Sequence, residues 1–197
     1  MISLYIARLP DGAPSEPLSC LQRQAEIDSV SNERVKREKY YVWRLLEYAI
    51  KNSLGVDASR LNFAKCENGK WTCEQVEFSL SHSGELLAVA VSQNEVGVDI
   101  ERIRVKRREG MVEYCLTESE KESYILAIDK DEYLIRKWCE KEAIFKLKNE
   151  NGFRPSNINT AKFFCDTRPV EASIEKYIVS VAAENPDTVE MFDEIEL

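Results

Sequence analysis

Residues 78–101 read FSLSHSGELLAVAVSQNEVGVDIE. Residues 78–81 alternate as a strand. His82-Ser83-Gly84 supplies turn chemistry, and residues 86–91, LLAVAV, are apolar enough for a strand buried on both faces. Asn94-Glu95 marks a second turn, and residues 96–101 alternate again. Three strands so closely spaced predict a β-meander. In the last one Val98 and Ile100 share one face, and Asp99 and Glu101 the other. Two carboxylates side by side repel unless something positive lies between them, and a hard divalent cation such as Mg²⁺ suits oxygen donors. Taken alone, Asp-x-Glu more often marks a strand edge facing water.

Outward from this stretch the chain alternates long helices and short strands. Residues 2–7, ISLYIA, read as an opening strand. Residues 31–52 have a helical pattern, with Val35, Trp43, Leu45, Leu46, Ala49 and Ile50 on an apolar face and Lys36, Arg37, Lys39 and Arg44 on a basic one. Residues 61–65 predict a short strand, and Asn68-Gly69 a hairpin turn after it. Residues 109–114 predict a second helix, and Thr117-Glu118-Ser119-Glu120 a capping box opening a third. Residues 131–148 hold the clearest helical pattern, stopped by Asn151-Gly152. Two strands follow at 161–165 and 176–182, and the acidic tail from residue 185 is expected to be loose. Helix then strands ending LLAVAVSQN returns as helix then strands ending YIVSVAAEN. This echo predicts an α+β protein of two pseudo-symmetric halves, 1–95 and 96–197. Each half is expected to be a small antiparallel sheet on a long helix.

Composition narrows the function. The 197 residues carry a formal net charge of −8, which argues against nucleic acid and anionic membranes as partners. The six cysteines include no C-x-x-C pair, and MISLYIARLP has no basic segment ahead of its apolar run. Both predict a cytoplasmic protein with reduced thiols. His82 is the single histidine, so a zinc site rich in histidine is excluded.

Residues 138–146 read WCEKEAIFK. On a helix Glu142 and Lys146 share a face, and Trp138 lies one turn before Glu142. By itself this is the pattern of an exposed ion pair worth tenths of a kcal/mol. The combination says more. A G-V-D-x-E strand, 43 residues from Asp99 to Glu142, W-C-x-K-E-A-x-x-K, and the S-H-S-G turn upstream resemble the signature of the 4′-phosphopantetheinyl transferases. The likeness is to the larger, pseudo-dimeric, surfactin-synthetase-activating type, and runs over residues 31–148.

That resemblance implies transfer of 4′-phosphopantetheine from coenzyme A to a serine of an apo acyl- or peptidyl-carrier protein, with Mg²⁺ or Mn²⁺, releasing adenosine 3′,5′-bisphosphate. It implies Asp99, Glu101 and Glu142 as metal ligands, and Glu142, Lys146 and Asp99 as the catalytic set. Glu142 takes the serine proton, directly or through a water. It implies His82, Ser81, Lys70, Lys141, Lys146 and Arg44 as contacts to coenzyme A, with Arg34, Lys36 and Lys39 as alternatives to Arg44. Around Lys70 the family's aromatic and proline neighbours are replaced by Asn68 and Trp71. An acidic carrier suits the basic run Arg102, Arg104, Lys106, Arg107 and Arg108 with the apolar residues of 111–116. The resemblance further implies that the active site lies in the cleft between the halves and that the second half stands in for a partner subunit, so a monomer is expected. Two other readings remain open here: a module that binds coenzyme A without chemistry, and a Mg²⁺-dependent phosphohydrolase.

Overall fold

The computed structural model describes residues 1–103 and 110–197. In chain order its elements are β1 (Ile2–Arg8), α1 (Leu21–Asp28), α2 (Glu33–Leu54), β2 (Phe63–Lys65), β3 (Trp71–Cys73), β4 (Glu77–Ser83), β5 (Leu86–Ser92), β6 (Gly97–Arg102), α3 (Met111–Cys115), α4 (Glu118–Leu126), α5 (Lys130–Lys148), β7 (Phe164–Ala172), β8 (Glu175–Ala183) and β9 (Val189–Ile195). The α+β class read from the sequence holds. One sheet has the order β4-β5-β1-β9 and another β6-β8-β7, with β2 and β3 a separate hairpin. Strand, long helix and hairpin occur twice: β1, α2, β4 and β5, then β6, α5, β7 and β8. In both, the last strand lies between the other two.

The layers run α2, first sheet, second sheet, α5. Tyr5, Ala7, Leu87, Val89 and Val91 face α2, where Trp43, Leu46 and Ile50 are fully buried. Ile2, Leu4, Ile6, Ala88 and Ala90 point the other way, onto Val98, Ile100, Val179 and Val181 of the second sheet. The first sheet is therefore covered on both faces, which is why residues 86–91 lack polar alternation. Ala143, Ile144 and Leu147 of α5 close the outer face of the second sheet against Ala182. Each aliphatic side chain so buried stabilises the fold by about 1.5–3 kcal/mol.

The expected meander does not form. β4 and β5 pair as a hairpin, but β6 pairs with β8 and opens the second sheet. Its outer edge runs beside β4 through side chains. Ser79, Ser81 and Ser83 Oγ accept from Val98 N (3.0 Å), Ile100 N (3.3 Å) and Arg102 N (3.2 Å). Hydroxyls at every second residue thus stand in for the carbonyls of a neighbouring strand. The C-terminal tail, expected to be loose, is strand β9, parallel to the N-terminal β1. Phe192 stacks on Tyr5 with ring centroids 4.7 Å apart, which secures the strand despite its charge. β9 so returns from the second half to the sheet of the first.

Candidate active site

β6 and α5 meet at Gly97. A Cβ there would stand 1.9 Å from the Ala143 carbonyl oxygen, so only glycine lets helix and strand come this close. The result sets Asp99 and Glu101 beside Glu142 and Lys146. Asp99 is buried, and its Oδ1 accepts from Lys146 Nζ at 2.7 Å and from Ser81 Oγ at 2.7 Å. Lys146 Nζ also donates to Ser81 Oγ at 3.0 Å. Glu101 accepts from Trp138 Nε1 on one oxygen and Ser83 Oγ on the other, both at 3.1 Å.

The electrostatics are those of crowded carboxylates with one cation. Burial, followed by the Asp99 charge, raises the Glu101 carboxyl. Burial, the Asp99 charge and then Glu101 push the Glu142 carboxyl up to about 7, with Lys146 opposing. Burial alone would lower the Lys146 ammonium, but Asp99 overrides it and the ammonium is held above its usual value. Asp99 Oδ2 is buried without a hydrogen-bond partner among the described residues. Among those residues no three His, Cys, Asp or Glu side chains converge closely enough to hold a metal ion as they stand. The donor set nevertheless fits a hard divalent cation: three carboxylates within mutual repulsion, and one buried oxygen left unpaired.

Lys146 joins this cluster to a cleft of about 440 Å³, lined among others by Arg23, Lys70, Trp71, Ser79 and Phe145. Lys70, at the β2–β3 hairpin, donates Nζ to the Lys146 carbonyl at 2.9 Å, and Asn68 Nδ2 donates to the Asn149 carbonyl at 3.0 Å. The hairpin thereby satisfies carbonyls at the end of α5 that have no partner within the helix. His82 lies on β4, not in the turn, with Nδ1 3.8 Å from Glu38 Oε2. Burial lowers its imidazole below the usual value against the pull of Glu38, so His82 is neutral at pH 7. Gly84 makes the turn instead, with φ +60° against the Tyr177 ring.

Of the residues expected from the sequence, Ser81, Asp99, Glu101, Glu142 and Lys146 come together, with His82 and Lys70 on neighbouring walls. Two do not. Lys141 is fully buried, and its Nζ donates to the Cys115 carbonyl (2.7 Å) and Glu120 Oε2 (2.5 Å), so it ties α3 and α4 to α5 and does not reach the cleft. Arg44 pairs with Glu47 (3.1 Å) and Glu16 (3.4 Å) on another face of α2, lining a separate cavity with Pro17, Tyr48 and Asp57. Among its alternatives, Arg34 binds Glu38, the partner of His82, and Lys39 binds Glu26. The cleft takes its arginine from α1. Arg23 is almost buried, packs against the Trp43 and Trp71 rings, and donates to Glu26 and the Lys39 carbonyl, leaving Nε unpartnered among the described residues. The sequence does not announce it, since LQRQAEID places only Arg23 and Ile27 in the interior.

Of the basic run, Arg102 is engaged with Glu175 at 2.6 Å. Arg104, Lys106, Arg107 and Arg108 lie outside the described residues. Cys115 and Leu116 belong to the interior, while Tyr114 stays half exposed.

The model of the family described as the 4′-phosphopantetheinyl transferase superfamily matches residues 95–182. No curated protein matches the chain.

Proposed function

We propose, from the match of residues 95–182 to the 4′-phosphopantetheinyl transferase superfamily, that this chain moves 4′-phosphopantetheine from coenzyme A onto a serine of an apo acyl- or peptidyl-carrier protein. The observation that carries the reading is the meeting of Asp99, Glu142 and Lys146, from elements 43 residues apart, at the wall of a basic cleft. Lys146, Lys70 and Arg23 offer positive charge to the phosphates of coenzyme A, and neutral His82 offers a ring nitrogen from the facing sheet.

Glu142 is the group we assign to the carrier serine. Its carboxylate accepts the hydroxyl proton, either directly or through one water. The serine oxygen then bonds to the phosphorus bearing pantetheine. The bond from that phosphorus to the diphosphate bridge oxygen breaks, and adenosine 3′,5′-bisphosphate leaves. Lys146, fixed on Asp99, faces the departing phosphate with its positive charge. Asp99, Glu101 and Glu142 would hold Mg²⁺ or Mn²⁺, which when bound neutralises charge on the diphosphate. We assign carrier docking to the basic run of the sequence, Arg102, Arg104, Arg107 and Arg108, together with the exposed Tyr114 that follows it in the chain. The halves 1–95 and 96–197 take the place of two subunits, giving a cytoplasmic monomer.

Intact-mass spectrometry of apo carriers tests this reading. A fatty-acid and a peptidyl carrier are each incubated with coenzyme A, Mg²⁺ and either wild type or Glu142→Gln. One added phosphopantetheine, lost without metal and in the variant, is expected. Coenzyme A cleaved equally well with no carrier present would replace transfer by hydrolysis, and no modification of any carrier would overturn the proposal.

A further inference from the structure

The hydroxyl ladder between β4 and β6 has a repeat. Each serine accepts the amide of the residue 19 positions on, and the side chain to which it can donate is 18 positions on. Ser81 donates to Asp99 (2.7 Å) and Ser83 to Glu101 (3.1 Å). At the third rung the corresponding residue to Ser79 is Gly97, which has no side chain. The rungs therefore do one job in common, satisfying the open edge of β6, and two of them do a second. A hydroxyl has one proton, and at Ser83 its direction is set, because the Arg102 N–H occupies a lone pair and the proton is left to Glu101 Oε2. Trp138 Nε1 holds the other oxygen. Glu101 is thus fixed from both sides, by a strand of the first sheet and a helix of the second half.

We propose that Ser83 is a positioning residue for Glu101, which orients this carboxylate toward the divalent cation; the inference rests on the transferase reading of the site. Hydrogen-bond partners behind a ligating carboxylate typically change metal affinity about 10–100-fold when removed. Ser83 touches no reacting atom in this scheme and acts through Glu101 alone. Ser79 supplies a matched comparison within the same ladder. Its removal also deprives a β6 amide of its acceptor, but no carboxylate loses a donor.

Mn²⁺ affinity of the full-length chain, read from the electron paramagnetic resonance signal of free Mn²⁺ without coenzyme A, so that the place of Ser79 in the cleft wall does not enter, tests the proposal. The set is wild type, Ser83→Ala, Ser83→Thr and Ser79→Ala, each checked by urea unfolding. Expected are at least tenfold weaker binding in Ser83→Ala, affinity within about threefold of wild type in Ser83→Thr, and unaltered affinity in Ser79→Ala despite a comparable fall in unfolding midpoint. Wild-type affinity in Ser83→Ala, equal weakening in Ser79→Ala, or no rescue by threonine would overturn it. Carrier modification by the wild-type preparation separates two failures. If the wild type transfers and binds Mn²⁺ but Ser83→Ala matches it, the positioning role alone falls. If the wild type neither binds Mn²⁺ nor transfers, the reading of the site falls with it.

Discussion

Replacing Gly97 by alanine tests whether the site depends on the close approach of β6 to α5. The added carbon would lie 1.9 Å from the Ala143 oxygen, 2.9 Å from its carbonyl carbon and 2.7 Å from Leu147 N. All three are helix backbone, so no change of rotamer relieves the contact. Strand and helix must part by about 1.1 Å before the oxygen contact reaches 3.0 Å, below which side-chain carbons are essentially never found. Overpacking of an interior typically costs about 1–3 kcal/mol, and contact with rigid backbone places this variant at the upper end. The catalytic consequence is larger. Asp99 and Glu101 ride on β6, Glu142 and Lys146 on α5, and the 2.7 Å bond between Lys146 and Asp99 bridges the two. A misplacement of about 1 Å between reacting groups lowers rates on the order of 100-fold. The assays are urea unfolding and the rate of carrier modification at saturating coenzyme A. Gly12→Ala is the control, because its added carbon meets only the Tyr41 hydroxyl, at 3.8 Å. A Gly97→Ala protein with wild-type midpoint and rate would refute the argument.

Lys141→Met should destabilise the fold by about 3 kcal/mol in urea, because Glu120 loses its buried partner. The same variant, assayed while folded, should bind coenzyme A as the wild type does, and weaker binding would return Lys141 to the cleft. Arg23→Met keeps packing on the two tryptophans but removes the guanidinium from the cleft. It should raise KM for coenzyme A about tenfold with kcat little changed, the scale of a lost hydrogen bond to a charged group. Glu26 sets an acid limit on stability. Burial opposes its charge, but the Lys39 hydrogen bond, the Arg23 guanidinium and Trp71 outweigh it and lower the carboxyl to about 2. Its folded value lies below its unfolded one, so its contribution is whole above about pH 4.5 and fades as pH falls toward 2. Thermal unfolding of Glu26→Gln should lose that part of the acid slope, and a slope identical to wild type would show that other carboxyls control it.

Most of the site was legible because its chemistry is local. Asp99 and Glu101 declare themselves by strand alternation, and Trp138, Glu142 and Lys146 by helical spacing; what joins them is the resemblance spanning the 43 residues between. The long helices α2 and α5 were legible for the same reason, each having a continuous apolar face. What escaped depends on partners distant in sequence. The β6 strand alternates as a meander strand would, and only the distant β8 shows that it opens another sheet. In β9 the acidic residues 190, 193 and 194 mask a strand, and its claim on the structure comes from Phe192 stacking on Tyr5. Arg23 was hidden by an amphipathic helix with just two interior residues, and Lys141 was misread because a lysine in a catalytic motif looks available until its burial is known.

The pairing of β9 with β1 has a consequence for how the chain is made. β1 is made before both of its neighbours, and the one on one side, β5, is complete by residue 92. The neighbour on its other side, β9, begins only at Val189. While everything between is being made, an uncharged strand, ISLYIA, has one edge without its native partner. Segments of that length and character pair readily with copies of themselves. On a polysome, where nascent copies lie close together, emergence of β9 is the event that closes this edge, so a message truncated ahead of residue 189 should lead to aggregates seeded at β1.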